Sequence, residues 1–264
     1  MNKILAIAQN TFKEAIRDKI LYSLILFALL MIGSSLILGM ISINIETKVT
    51  VDVGLSSMSV IGAVIAVFIG INLVHKEVDK RTLYSILAKP VRRTEFILGK
   101  FFGLAFTLFV NLVIMAIGLV LVLAYVKGQA YSRGQVTEIH ASLFVAVFLI
   151  FLQLLLITGI ALVFSSFSTP TLSAMFTLAL YFIGQFNADI KHFGVEAGNV
   201  AVRMITSGLY YLLPNFGNFN VIAGVSHGKP IAAALVVYDV AYSIVYLAIL
   251  LSAAAMIFSQ RNLK

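Results

Sequence analysis

The sequence predicts an all-α integral membrane protein. It has six transmembrane helices, an N-terminal interfacial amphipathic helix, a short cytoplasmic helix between spans two and three, and an extracytoplasmic helical segment between spans five and six. Three observations predict this. Of the 264 residues, 61% are hydrophobic and 11% are charged, whereas a soluble domain carries roughly 25% charged residues. The mean hydropathy is +1.03. The charges gather in short segments between long uncharged runs, and about 20 apolar residues suffice to cross a bilayer core about 30 Å thick.

The elements follow in order. From Lys3 to Lys19, Leu5, Ala8, Phe12, Ile16 and Ile20 recur at helical spacing, while Asn10, Lys13, Glu14, Arg17 and Asp18 face elsewhere. Such a helix is either a lead-in to the first span or lies in the membrane interface. Its basic residues would meet anionic headgroups there, which favours the second reading. The first three spans cover about 20–43, 53–74 and 96–126, with Lys100 near the start of the third. Between the first two, "NIETKVTVDV" (Asn44 to Val53) alternates apolar and polar residues and reads as extended. Gly99 and Gly103 form a G-x-x-x-G that permits close helix approach. No charge occurs from Ala141 to Ala188, a stretch too long for one crossing. It divides into spans 141–164 and 171–188 at Ser165 to Ser173, where Pro170 lacks an N–H and hydroxyls serve a turn. The last span, 231–259, is interrupted by Asp239. Within 189–230, the stretch Val195 to Leu213 reads as a helix ended by Pro214. Tyr210, Tyr211, Phe216 and Phe219 sit where an aromatic belt rests on the outer leaflet.

Orientation follows from the basic residues. With six spans both termini share one side, and that side holds thirteen Lys and Arg against six on the other. Both termini and the loop between spans two and three are therefore expected in the cytoplasm of a cell whose inner or plasma membrane holds the chain. The net charge of +8 does not point to nucleic acid, because it is dispersed in loops and forms no basic face. The chain has no cysteine, which excludes disulfides and thiolate chemistry. The first apolar run follows a charged stretch and is too long for a signal peptide.

The loop "HKEVDKRTLYSILAKPVRR" (His75 to Arg93) carries the functional signal. Lys76 to Ala88 reads as a short helix. Glu77 and Asp79 suit the N-terminal end of its dipole, and Glu77 pairs with Arg81 four residues on. Val78, Thr82 and Ile86 form one stripe, with Leu83 and Leu87 beside it. Lys89-Pro90 ends the helix, and Arg92 and Arg93 mark the entry of the third span. A positively charged topology signal accounts for the basic residues. It leaves the apolar stripe unexplained, and that stripe reads as a docking surface.

At this point the chain resembles a known family. "HKEVDKRTLYSILAKPVRRTEFILGKFFG" is similar to the loop between the second and third spans of type-2 ABC transporter permeases. More narrowly, it resembles the multicopper-enzyme maturation group that includes the nitrous-oxide-reductase maturation transporter. Glu77, Arg81-Thr82, Leu87-Ala88-Lys89-Pro90, Arg93 and Gly99-Lys100 match the pattern. "YYLLPNFGNFN" and "IFSQRNLK" also resemble this group. The resemblance implies that Glu77, Val78, Lys80, Arg81, Thr82, Leu83, Ile86, Leu87, Lys89, Pro90 and Arg93 dock a separate ABC ATP-binding subunit. ATP and Mg would bind on that subunit, and no cofactor on this chain. A second permease chain, identical or different, would complete the unit, an exporter. The chain has no P-loop of its own: Gly99-Lys100 and Gly228-Lys229 both lack the upstream glycine and the following Ser or Thr.

Polar residues inside spans are candidates for a pathway or a subunit contact: Asn111, Gln153 and Asp239, with Asn72 and Gln185 beside them. Hydrogen bonding between helices is the simpler role for the amides. Asp239 serves either as an anchor at the outer headgroups or in a pathway or subunit contact. His75, His140, His192 and His227 are scattered and the methionines show no paired spacing, so no metal site is expected. Two other classes compete. An ion-coupled carrier predicts buried charges and an inverted repeat, and a non-transporting scaffold has no use for a docking helix.

Overall fold

The computed structural model describes residues 3–42, 45–79, 92–132 and 141–260. Its α-helices are α1 (Lys3–Ile16), α2 (Lys19–Ile41), α3 (Glu46–Asp79), α4 (Arg93–Ser132), α5 (Ser142–Ser165), α6 (Pro170–Gln185), α7 (Asn187–Glu196), α8 (Val200–Leu212), α9 (Ile222–Ser226) and α10 (Ala233–Gln260), with a 3₁₀ turn at Phe216–Phe219. Among the described residues no strand occurs.

Local chemistry sets the helix ends. The chain breaks between α1 and α2 at Asp18, whose carboxylate accepts from the Ile20 N–H at 3.0 Å and caps α2. The stretch expected to be extended, Asn44 to Val53, is helical from Glu46 onward. Lys48, Asp52 and Ser56 recur every four residues on one exposed stripe, so the pattern that reads as alternation also satisfies a helix. The Thr50 hydroxyl donates to the Glu46 carbonyl at 2.9 Å within it. The chain turns after Ser165, and Pro170 opens α6, where its missing N–H costs no bond. The helix expected over Val195 to Leu213 is two helices. Gly198 adopts φ 64° between them, and Asn199 caps α8 by accepting from the Ala201 N–H at 2.9 Å.

Among the described residues, five helices are long and apolar enough to cross a membrane: Lys19–Gly39, Glu46–Ile71, Arg93–Gln129, Ser142–Ser165 and Ala233–Gln260. The 16-residue α6 is about 24 Å long at 1.5 Å per residue, short of a full hydrocarbon core. Val163 near the end of α5, Phe96 and Ile97 at the start of α4, and Ala254 and Phe258 near the end of α10 form one apolar cluster. The end of α5 and the end of α10 thus lie together. The chain between them travels to the opposite end of the bundle before α10 begins, and α6 is the apolar helix on that path.

The centre of the bundle is α3, the most deeply buried of the five. Gly54 and Gly62 let α4 and α5 approach it, because a Cβ at these positions would press into Leu119 and Leu154. The gap among Ile65, Leu104, Leu108 and Thr158 has no room for a water molecule.

Candidate coupling base and intramembrane polar residues

The docking residues Lys80, Arg81, Thr82, Leu83, Ile86, Leu87, Lys89 and Pro90 lie outside the described residues. Glu77 and Val78 fall in the last turn of α3, which runs unbroken to Asp79. The helix expected to begin afresh at Lys76 therefore does not start there.

The first turns of α4 gather α1 and the end of α10. The Arg93 guanidinium Nη1 donates to the carbonyls of Phe258 and Ser259, at 2.9 and 2.8 Å. Phe96 stacks on Phe258 with ring centroids 5.6 Å apart. One turn further, α1 packs along α4. A Cβ on Gly99 would meet Ile7 Cβ at 2.6 Å, and one on Gly103 would meet the Ala8 carbonyl and Thr11 Cβ at 2.6 Å. The G-x-x-x-G is thus the seat of α1. Lys100 is 0% exposed. Its Nζ stands 3.8 Å from Glu14 Oε2 and 5.8 Å from the centre of the Phe96 ring. Phe12 meets Phe106 edge-on at 4.6 Å.

This seating corrects the expected helix face. Thr11 and Ala15 are buried against the protein, while Leu5 and Ile20 are exposed. The apolar stripe read from periodicity sits about one residue round from the true contact, because small residues facing two glycines pack closer than large ones.

The intramembrane residues divide. Gln153 is buried and donates from Nε2 to the Ser59 hydroxyl at 3.2 Å, an interhelical bond between α5 and α3. Asn111 is buried in α4, and its side-chain N–H₂ finds no acceptor among the described residues. Asp239 is 0% exposed, and neither carboxylate oxygen has a hydrogen-bond partner among the described residues. It turns inward beside Ser243, also fully buried.

The aromatics expected to form a belt do not share one environment. Tyr211 is exposed, but Phe216 and Phe219 are buried. Phe216 fills the space above Gly184 and meets Tyr181 at 5.9 Å, and Phe219 reaches Tyr242 at 6.3 Å. Sequence reasoning missed the tyrosine ladder that holds this region: Tyr242 Oη accepts from the Asn215 N–H at 3.0 Å, and Tyr246 Oη donates to the Leu212 carbonyl at 3.1 Å. The i,i+4 spacing of Tyr238, Tyr242 and Tyr246 was the available signal. Among the described residues no group of three His, Cys, Asp or Glu is placed to hold a metal ion.

A chain with five such helices, closely packed and nearly free of interior charge, is a multi-pass membrane protein. Residues 5–263 match the family model described as "ABC-2 family transporter protein", and the chain belongs to that family. No curated protein matches it at a significant level. It is thus a membrane permease of an ABC transporter, a transport subunit in a family that works with ABC ATP-binding partners.

Proposed function

We propose that the chain is an exporter permease that crosses the membrane six times with both termini cytoplasmic, pairs with a second permease chain, and is driven by a separate ATPase docking on 76–90. The observation that carries this reading is the base of α4. Directly after that segment, Arg93 holds the end of α10, and Gly99, Lys100 and Gly103 hold α1. A push on the segment is delivered to the first and last helices together.

Two further observations support the reading. The contacts of α1 and of the end of α10 with one end of α4 support an even number of crossings. The short apolar α6 then supplies the sixth. Among the described residues, the gap where α3, α4 and α5 meet at Ile65, Leu104 and Thr158 has no room for water, which favours a transport route between two chains over one through that point. ATP and Mg belong to the partner in this reading.

The test is co-purification. Arg81→Glu, or Leu83→Asp with Ile86→Asp, is expected to abolish recovery of the ATPase with the permease while membrane insertion persists. Undiminished recovery would overturn the docking role. Fluorescent reporters fused to either terminus should both report a cytoplasmic position, and one silent terminus would overturn the six-crossing reading.

A further inference from the structure

The stripe of α3 that remains exposed has an unusual composition for a helix in a membrane. Elsewhere the outward stripes are apolar: Phe102, Phe106 and Ile117 on α4, and Val237, Ile244 and Ile249 on α10. On α3 the stripe reads Asp52, Ser56, Val60, two polar residues followed by an apolar one. Polar groups facing lipid are costly and call for a reason.

These residues line an open groove between α2 and α3 of about 380 Å³, within the roughly 300–1,000 Å³ typical of small-molecule sites. Asp52, Ser56 and Ser57 sit toward the start of α3, and Phe27, Met31 and Val60 form the apolar wall. The Ser57 hydroxyl is already committed to the Val53 carbonyl at 2.6 Å. The Asp52 carboxylate makes no hydrogen bond or ion pair with a described residue, although Lys48 stands one turn away on the same stripe. One negative charge thus meets one end of an apolar trough.

We infer that the α2–α3 groove binds an amphiphile bearing a single cationic group next to its apolar tail, with the cation at Asp52 and the tail along Phe27, Met31 and Val60. Charge complementarity selects this occupant over a bulk acyl chain, because a neutral or anionic lipid gains nothing from Asp52. Lys48 one turn outward disfavours a second positive group. Calling the groove a transport subsite rests on the permease reading above, whereas the binding itself does not.

The chain contains no tryptophan, so Phe27→Trp introduces a unique fluorophore in the groove. The full-length chain in phosphatidylcholine vesicles is titrated with bromododecyltrimethylammonium, and separately with bromododecyl sulfate and a neutral bromododecyl glycoside. The cationic probe is expected to quench at about fivefold lower concentration than the neutral one, the upper end for an accessible ion pair. Asp52→Asn, added to the same background, is expected to remove that difference. A tryptophan placed by Ile249→Trp on the lipid face of α10 controls for partition into the bilayer. Equal quenching by all probes, a preference surviving Asp52→Asn, or the same preference at the Ile249→Trp site would each overturn the inference. Because no ATPase is present, failure here leaves the docking reading standing, and failure of co-purification leaves this site standing.

Discussion

Arg93 holds Phe258: the guanidinium at the first turn of α4 donates to the carbonyl at the end of α10, across 165 residues of chain, at 2.9 Å. The family resemblance assigns Arg93 to ATPase docking, and the structure gives it this structural task. Arg93→Ala is expected to cost about 1.5–3 kcal/mol, the range for hydrogen bonds to a charged group. Thermal unfolding in detergent should show a loss of a few degrees with the ATPase partner still recovered. Loss of the partner with unchanged stability would return Arg93 to the docking surface.

Gly103 decides whether α1 can sit on α4. Gly103→Val drives its side chain into the Ala8 carbonyl and Thr11, an overpacking that typically costs about 1–3 kcal/mol, and α1 is expected to lift. The chain has no cysteine, so Thr11→Cys is a unique reporter. A maleimide should label it poorly in the parent, where Thr11 is fully buried, and readily with Gly103→Val. Gly128→Ala meets no atom within 4 Å and should leave labelling unchanged.

Lys100 and Glu14 differ in exposure, with side chains 1% and 33% accessible. Removing Glu14 weakens the support of a buried ammonium, whereas removing Lys100 leaves a carboxylate partly in solvent. Glu14→Gln is therefore expected to destabilise by about 2–3 kcal/mol, below the 3–5 of a fully buried pair. Lys100→Met should cost less, and the double variant should lie within about 1 kcal/mol of the parent. Chemical unfolding in mixed micelles of the four proteins measures the cycle.

Asp239 is a buried carboxylate without a hydrogen-bond partner among the described residues. Burying such a group disfavours folding, so Asp239→Asn should raise the unfolding temperature by a few degrees while assembly persists. ATP hydrolysis by the assembled complex should change at least twofold if Asp239 serves transport. Unchanged hydrolysis would reduce it to a packing residue.

Gln153 and Ser59 are a measure of the plainer role. Interhelical side-chain bonds in membranes are worth about 0.6 kcal/mol on average. Gln153→Leu is therefore expected to shift stability by less than about 1 kcal/mol and to leave ATP hydrolysis unaltered, and a larger fall in hydrolysis would place Gln153 on the pathway.

How much was legible in the sequence varies by element. The apolar runs and the turn at Pro170 could be read because they depend on local composition and on a missing N–H. Glu46 to Val53 could not be read as helix, because a period of two and a stripe of period four coincide over so few residues. The split at Gly198 was also hidden, since a glycine marks a left-handed position only when the neighbouring helices must fold back. The belt reading failed at Phe216 and Phe219, because an aromatic side chain packs over a small residue when one is near, and Gly184 lies far away in sequence.

The sequence by itself determined that this chain is helical, multi-pass and without a P-loop, because hydropathy, charge placement and motif spacing are properties of contiguous residues. Tertiary structure alone decided that Arg93 bonds to Phe258 and Ser259 of α10, that Gly99 and Gly103 seat α1, that Asp239 is sealed inside, and that Asp52 heads an open groove. Each of these depends on which distant residues meet. In a chain whose helices are apolar on nearly every side, periodicity does not say which face turns inward; close packing of small residues and the satisfaction of a few polar groups do.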